Sequence, residues 1–193
     1  MRRRRGAALE EAILRAAAEE LTASGYTGLT MDAVARRAGT NKNAIYRRWP
    51  SRAALGVAAY GHLAGEATAV PDTGSLREDA LTLLRGANQH MSSPLGTVMR
   101  SLLAGAADDP ELVAAIQERS GDAGSQLWLT ILKRAVDRGE APAAALHPRV
   151  ATVAIVLLRN EFVTRGVPAA PDEVLVEIVD EVYLPLIRGR ASS

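Results

Sequence analysis

Lys42, Asn43, Tyr46, Arg47 and Arg48 share one short segment, and Arg52 follows it closely. Amides, cations and a phenol at that spacing suit hydrogen bonding to the base edges and phosphate oxygens of a nucleic-acid duplex. On a helix lying in a major groove, the first turn meets base edges, so Lys42 and Asn43 fall where bases are read. Tyr46 and Arg48 are placed to donate to phosphates. Ser51, directly after Pro50, starts a further helix, and Arg52 in its first turn adds a cation to a helix N-terminus, a combination that attracts phosphate. Thr30, Thr40, Asn41, Ala44 and Arg47 complete the expected contact set.

Two short helices must hold these groups. Thr30 precedes Met31, Val34, Ala35 and Ala38, which recur at helical spacing and form one apolar face, with the Thr30 hydroxyl as cap. Gly39 follows the last of them, where only glycine takes the left-handed backbone without steric cost. Asn41 then caps a second helix, Lys42 to Arg48, and Ile45 points back at the first. The Ala35, Gly39 and Ile45 spacing is the packing skeleton of a helix-turn-helix.

The stretch GYTGLTMDAVARRAGTNKNAIYRRWPSRAAL, Gly25 to Leu55, resembles the TetR family of bacterial transcriptional regulators. The AxxAG turn, the IYRRWPSR segment and the upstream GYxGLT are specific in combination. PDTGSLRED (Pro71–Asp79), DDPEL (Asp108–Leu112) and AVDRGE (Ala135–Glu140) look like landmarks of one C-terminal subfamily. The family often carries Val-Ser or Val-Gly after the turn glycine, whereas Thr40-Asn41 stands here, which leaves the operator sequence unpredictable. The resemblance implies an all-α fold. An N-terminal three-helix DNA-binding domain, residues 1–52, would precede a C-terminal ligand-binding and dimerisation bundle, residues 53–193, with about nine helices in total.

Charge follows the same division. Residues 1–52 hold eleven Lys/Arg against five Asp/Glu, and the remainder holds twelve against seventeen. A basic end on an acidic body fits a polyanion-binding head with a separate partner domain. Arg2–Arg5 reads either as an arm reaching for backbone or minor groove, or as a solvated tail. The absence of cysteine excludes disulfides and thiolate chemistry. Glu10 and Glu11 interrupt any signal-peptide core, and the apolar run Val150–Leu158 stops at Arg159, short of a membrane span, so a cytoplasmic protein without membrane partner is expected.

Ala, Leu and Arg dominate, and the chain reads as helical throughout. The first helix spans about 6–24 and ends at Gly25. A linking helix over 51–68 is the expected lever between head and body. Helices are expected over 75–91, 94–106, 110–138, 148–165 and 171–188, with Pro185 able to kink the last. The final two are apolar over most of their circumference and need cover on nearly all sides. A four-helix interface with a second copy would supply it, through Val150, Ala154, Leu157, Leu158, Glu161, Leu175, Val179, Val182, Tyr183 and Leu186. Such a homodimer would present two reader helices about one DNA turn apart to a pseudo-palindromic operator of double-stranded DNA.

The resemblance also implies a small-molecule effector inside the C-terminal bundle. Asn88, Met91, Trp128, Asn160 and Phe162, polar or large groups among apolar neighbours, are the candidate lining. No cofactor or metal is expected: His62, His90 and His147 form no ligand pair, and neither a nucleophile motif nor a phosphate loop appears, which argues against an enzyme. A repressor released by its effector is the leading expectation. An activator, a regulator without ligand and an architectural DNA-binding protein are the alternatives, the last disfavoured by the acidic body.

Overall fold

The computed structural model describes residues 6–64, 69–120 and 123–190, so the Arg2–Arg5 run lies outside the described residues. Among these residues every regular element is a helix: α1 Ala7–Gly28, α2 Met31–Ala38, α3 Lys42–Tyr46, α4 Arg52–Ala64, α5 Leu76–Ser92, α6 Pro94–Gly105, α7 Pro110–Ser120, α8 Ala123–Asp137, a 3-10 turn Ala143–Ala145, α9 Pro148–Ala151, α10 Val153–Val163, α11 Asp172–Glu177, a π-helical stretch Ile178–Tyr183, and α12 Leu184–Gly189. None is long and apolar enough to cross a membrane.

Packing groups them into two units, Met1–Ala67 with Ser93–Gly121, and Thr68–Ser92 with Asp122–Ser193. The boundary expected after residue 52 therefore differs from the division by packing, because α4 and α6 lie against α1 and α7 lies against α4. Tyr26 shows why. Gly25, at φ 65° and ψ −175°, interrupts α1 and turns the next residue inward. The Tyr26 ring then fills a slot between two glycines. A Cβ on Gly105 of α6 would lie 2.5 Å from its Cδ1, and one on Gly56 of α4 would lie 3.3 Å from the ring. The Tyr26 N–H donates to Ser101 Oγ on α6 at 3.3 Å. Ile13, Leu21, Leu29, Val34, Ile45, Leu55, Leu102 and Leu112 complete the core of this unit.

The second unit is built on Leu81, Leu84, Ile131, Leu132, Leu158, Val179 and Ile187. Arg77 clasps Asp180 with Nε and Nη2 at 2.7 and 2.8 Å, and Arg85 clasps Asp172 in the same way, so two forked ion pairs fasten α5 to the last helical stretch. Asp79 is fully buried; its Oδ1 accepts from the Thr73 N–H and hydroxyl, and Arg138 lies 3.7 Å from its Oδ2. Glu140 accepts the Leu76 N–H at 2.7 Å. The segments PDTGSLRED and AVDRGE thus meet as one hydrogen-bonded joint, a role in folding.

Four expected helices differ in detail. The reader helix stops at Tyr46 because Pro50 disfavours helical backbone at Trp49, and Arg47 and Arg48 close a turn instead. The helix expected over 110–138 is two, α7 and α8, in a region carrying Gly121 and Gly124, the poorest helix formers after proline. The one over 148–165 breaks at Thr152, at φ −95° and ψ 1°, whose hydroxyl returns to the Pro148 carbonyl at 2.8 Å. Over 171–188 the helix continues, but the π-helical stretch widens it just before Pro185, which has no N–H for the preceding turn.

Because a methyl on Gly105 collides with the Tyr26 ring, Gly105→Ala is expected to destabilise the protein by about 1–3 kcal/mol. Chemical denaturation measures it; an unchanged midpoint would show that the slot is loose.

Candidate nucleic-acid interface

The reader is assembled by local bonds. Thr30 Oγ1 accepts the Ala33 N–H at 3.2 Å and starts α2. Gly39, at φ 64° and ψ 40°, ends it in the left-handed conformation, and the Thr40 N–H returns to the Ala35 carbonyl at 3.0 Å. Asn41 Oδ1 accepts the Ala44 N–H at 2.9 Å and starts α3. Ile45 is buried against Val34 and Leu29 in one core. Arg37, at the end of α2, bonds Glu20 through Nε at 2.8 Å and Glu19 through Nη1 at 3.1 Å, which fixes α2 on α1. Ser51 Oγ accepts the Ala54 N–H at 3.1 Å and starts α4.

These bonds sort the expected contact residues. Lys42, Asn43, Tyr46 and Arg47 all stand on the exposed side of α3, with 48% of Tyr46 accessible. Arg47 has no carboxylate within ion-pair distance among the described residues, whereas Lys42 Nζ lies 2.8 Å from Asp32 Oδ1. Arg48 is half-buried, and its guanidinium donates to the Ala44 carbonyl at 3.1 Å with Glu10 at 3.9 Å. Ala44 is only 3% exposed, because its Cβ lies on the Ile45 side of α3, so its side chain packs inward. The Thr30 and Asn41 side chains serve as caps, and Thr40 is half-buried in the turn.

Arg52 carries more than the expected role. Its guanidinium carbon sits 4.4 Å from the centre of the Tyr26 ring, and its Nη2 lies 3.2 Å from Asp109 Oδ2. The Tyr26 hydroxyl donates to that same oxygen at 2.6 Å. Burial, then the Asp109 hydrogen bond, pushes the Tyr26 hydroxyl up to about 12. The Tyr26 hydrogen bond, then the Leu112 N–H, holds the Asp109 carboxyl below the usual carboxylate range. The sequence quoted Tyr26 and Asp109 only as landmarks. Their contact spans 83 positions, which no local pattern signals.

The expected effector residues fall in different surroundings of the second unit. Trp128 and Phe162 are core residues, Trp128 standing edge-on to Tyr183 with ring centres 5.6 Å apart. Asn88 holds the Ala170 carbonyl at 2.9 Å and the Ala170 N–H at 3.0 Å, a brace for the chain entering α11. Met91 is half-buried, and Asn160 faces solvent. A groove of about 340 Å3 lies in the first unit between α1 and α4, lined by Arg15, Glu19, Thr22, His62 and Leu63 among others, and none of the expected lining takes part. Among the described residues no cluster of three His, Asp or Glu could hold a metal ion.

The expected interface residues divide as well. Val150, Ala154, Leu158, Leu175, Val179 and Tyr183 are interior to the protomer's own core. Leu157 and Glu161 are half-buried, and Val182 and Leu186 are exposed. Helical spacing identified both arcs as apolar but not which one the protomer buries itself. Val156, 54% exposed, and Val163, 71% exposed, stand on the open arc of α10.

A helix-turn-helix with an exposed polar and cationic reader defines a DNA-binding protein. Residues 13–59 match the family described as bacterial regulatory proteins, tetR family, and residues 70–182 match the tetracyclin repressor-like, C-terminal domain. The DNA-binding transcriptional repressor TetR of Mycobacteroides abscessus is 34% identical over 97% of this chain and 98% of its own. The HTH-type transcriptional regulator Rv1556 of Mycobacterium tuberculosis is 35% identical over 83% of this chain and 79% of its own. The solved structure of the TetR family transcription regulator SCO0332 superposes with a TM-score of 0.73 at 26% identity, covering 91% of this chain and 96% of that one. The fold also matches FadR from Bacillus subtilis, solved with stearoyl-CoA, with a TM-score of 0.59 at 16% identity over 93% and 98%. The chain belongs to the TetR family. It is a DNA-binding transcriptional regulator.

Asn41→Ala removes the acceptor that starts α3 and is expected to cost about 1 kcal/mol of stability. A thermal melt reads it. A gain in stability would show that Asn41 serves DNA at the expense of the helix.

Proposed function

We propose that the chain is a homodimeric repressor that binds a pseudo-palindromic operator and is released by a small-molecule effector. The observation that carries the first part is the exposed row Lys42, Asn43, Tyr46 and Arg47 on a helix whose opposite side, Ala44 and Ile45, is buried. One side of α3 is committed to its support and the other is free for base edges and phosphates. Thr30, Thr40, Asn41, Arg48 and Arg52 surround that row and supply backbone contacts. The 34% identical relative named a repressor supports the direction of control.

For the dimer, the support is the apolar surface left on α10 and the last helical stretch, which pack together. Val156, Val163, Val182 and Leu186 are exposed there, with Leu157 and Glu161 partly covered. A second copy in two-fold relation would cover the same patch on both protomers. In this reading Leu158 and Val179 act within the protomer, and a charge at either unfolds it rather than merely parting two copies.

For the effector, the support is the Tyr183 hydroxyl, buried beside Trp128 with no hydrogen-bond partner. A buried donor without partner is costly, and a bound molecule carrying an acceptor would relieve it. An effector shifts the equilibrium only by binding the released state more tightly than the bound one.

Selection of bound duplexes from a random pool tests the whole reading. Enrichment of two inverted half-sites about one helical turn apart is the expected result; recovery of unrelated sequences would overturn it. On the selected duplex, Tyr46→Ala is expected to weaken binding by about tenfold or more, the loss of one hydrogen bond to a charged phosphate, with the melting temperature unchanged. A variant carrying both Val156→Asp and Val163→Asp is expected to sediment as a folded monomer. A mass equal to that of the parent protein would remove this surface from the interface.

A further inference from the structure

We propose that Asp109 is a built-in counter-ion that withholds Arg52 from the operator backbone and so lowers the affinity of the regulator for DNA. The inference rests on the reading of Arg52 as a phosphate contact. Arg52 lies in the first turn of α4, where a capped helix N-terminus and a guanidinium together suit a phosphate oxyanion. In this structure a carboxylate oxyanion already stands on that guanidinium, at 3.2 Å.

The carboxylate is fixed in place. Asp109 Oδ1 accepts the Leu112 N–H at 3.1 Å and starts α7. Asp109 Oδ2 accepts the Tyr26 hydroxyl at 2.6 Å, and the Tyr26 ring is held between Gly56 and Gly105. Both oxygens are therefore engaged with groups that do not move independently of the core. The guanidinium is the mobile partner: its side chain is 42% exposed and its stem is a flexible chain. An arriving phosphate must draw Arg52 away from Asp109, or accept a share of it while standing close to a fixed negative charge. Either route costs operator affinity.

The pair differs from that of Lys42, another paired cation of the reader. Lys42 and Asp32 are exposed on both sides, so each can swing into solvent. Asp109 has no such freedom, and the Tyr26 face adds a cation–π contact to the hold on Arg52. Any rearrangement that moves the start of α7 moves the carboxylate with it, so the position of α7 grades how much of Arg52 is offered to DNA.

Asp109→Asn tests the proposal in the full-length protein, on the duplex recovered by selection. Asparagine caps a helix as well as aspartate does through its Oδ1, and its Nδ2, standing where Oδ2 stood, donates to the Tyr26 hydroxyl oxygen, so the packing is retained. Removing the charge is expected to tighten binding by up to about fivefold per protomer, the ceiling for one exposed ion pair. The slope of log affinity against log salt is expected to steepen by about 0.9 for each phosphate gained. Arg52→Ala is expected to weaken binding, and Asp109→Asn is expected to have no further effect in that background. An unchanged slope in Asp109→Asn overturns the proposal. A shallower slope overturns it too and makes Asp109 a positioning residue that presents Arg52 to phosphate. If Arg52→Ala leaves binding intact, both the phosphate contact and the counter-ion fall, while the DNA contacts of α3 stand or fall separately with Tyr46→Ala. Asp109→Ser, which keeps the cap and removes the charge, repeats the test should the asparagine variant melt early.

Discussion

The reading helix has five residues, too few to hold helical geometry alone in water. In the proposed reading, recognition of base edges therefore depends on its support. Ile45 supplies the anchor in the core, Asn41 supplies the first hydrogen bond, and the left-handed turn at Gly39 sets the angle at which α3 leaves α2. The support is itself held by Arg37 on α1, through two carboxylates. Reading a base edge requires placement within a few tenths of an ångström, since hydrogen bonds weaken steeply with distance and angle. A helix this short reaches that precision only by borrowing rigidity.

Tyr26 lends it from the other side. A ring inserted between two glycines ties the end of α1 to α4 and α6, and its hydroxyl reaches the start of α7. The packing unit that contains the reader consequently includes α6 and α7, which the chain reaches only after α5 in the second unit. A boundary drawn along the sequence cannot express that interleaving. It follows that a fragment ending near residue 52 would lose the glycine slot on both sides, since neither Gly56 nor Gly105 would be present.

What was legible in the sequence was local. Thr30, Gly39 and Asn41 announce α2, the turn and α3, because caps and left-handed glycines act within three or four residues. The apolar face of Met31, Val34, Ala35 and Ala38 was equally clear. Periodicity failed where burial is nearly complete. On α10 and the last helical stretch it marked Leu158, Val179 and Tyr183 as apolar, but intramolecular core and intermolecular contact look the same at that level. Val156 and Val163, the residues left open, carry no distinguishing pattern. The Asp109 contact was invisible for a different reason: its partners are far away in sequence, and DDPEL announces only a helix start.

The electrostatics of the reader follow from the same economy. The N-terminal segment is basic by count, yet Arg37, Lys42, Arg48 and Arg52 each have a carboxylate within 4.0 Å. Exposed pairs of this kind contribute little to stability, on the order of 0–1 kcal/mol each. Their larger effect is on the field that DNA meets, because a paired cation presents less charge to a phosphate than its count suggests. Arg47 keeps its full charge among these five. A regulator must leave its operator as well as find it, and a surface with every cation open would bind any duplex through its phosphates. Pairing most of the cations leaves more of the affinity to base contacts, which is where discrimination between sequences resides.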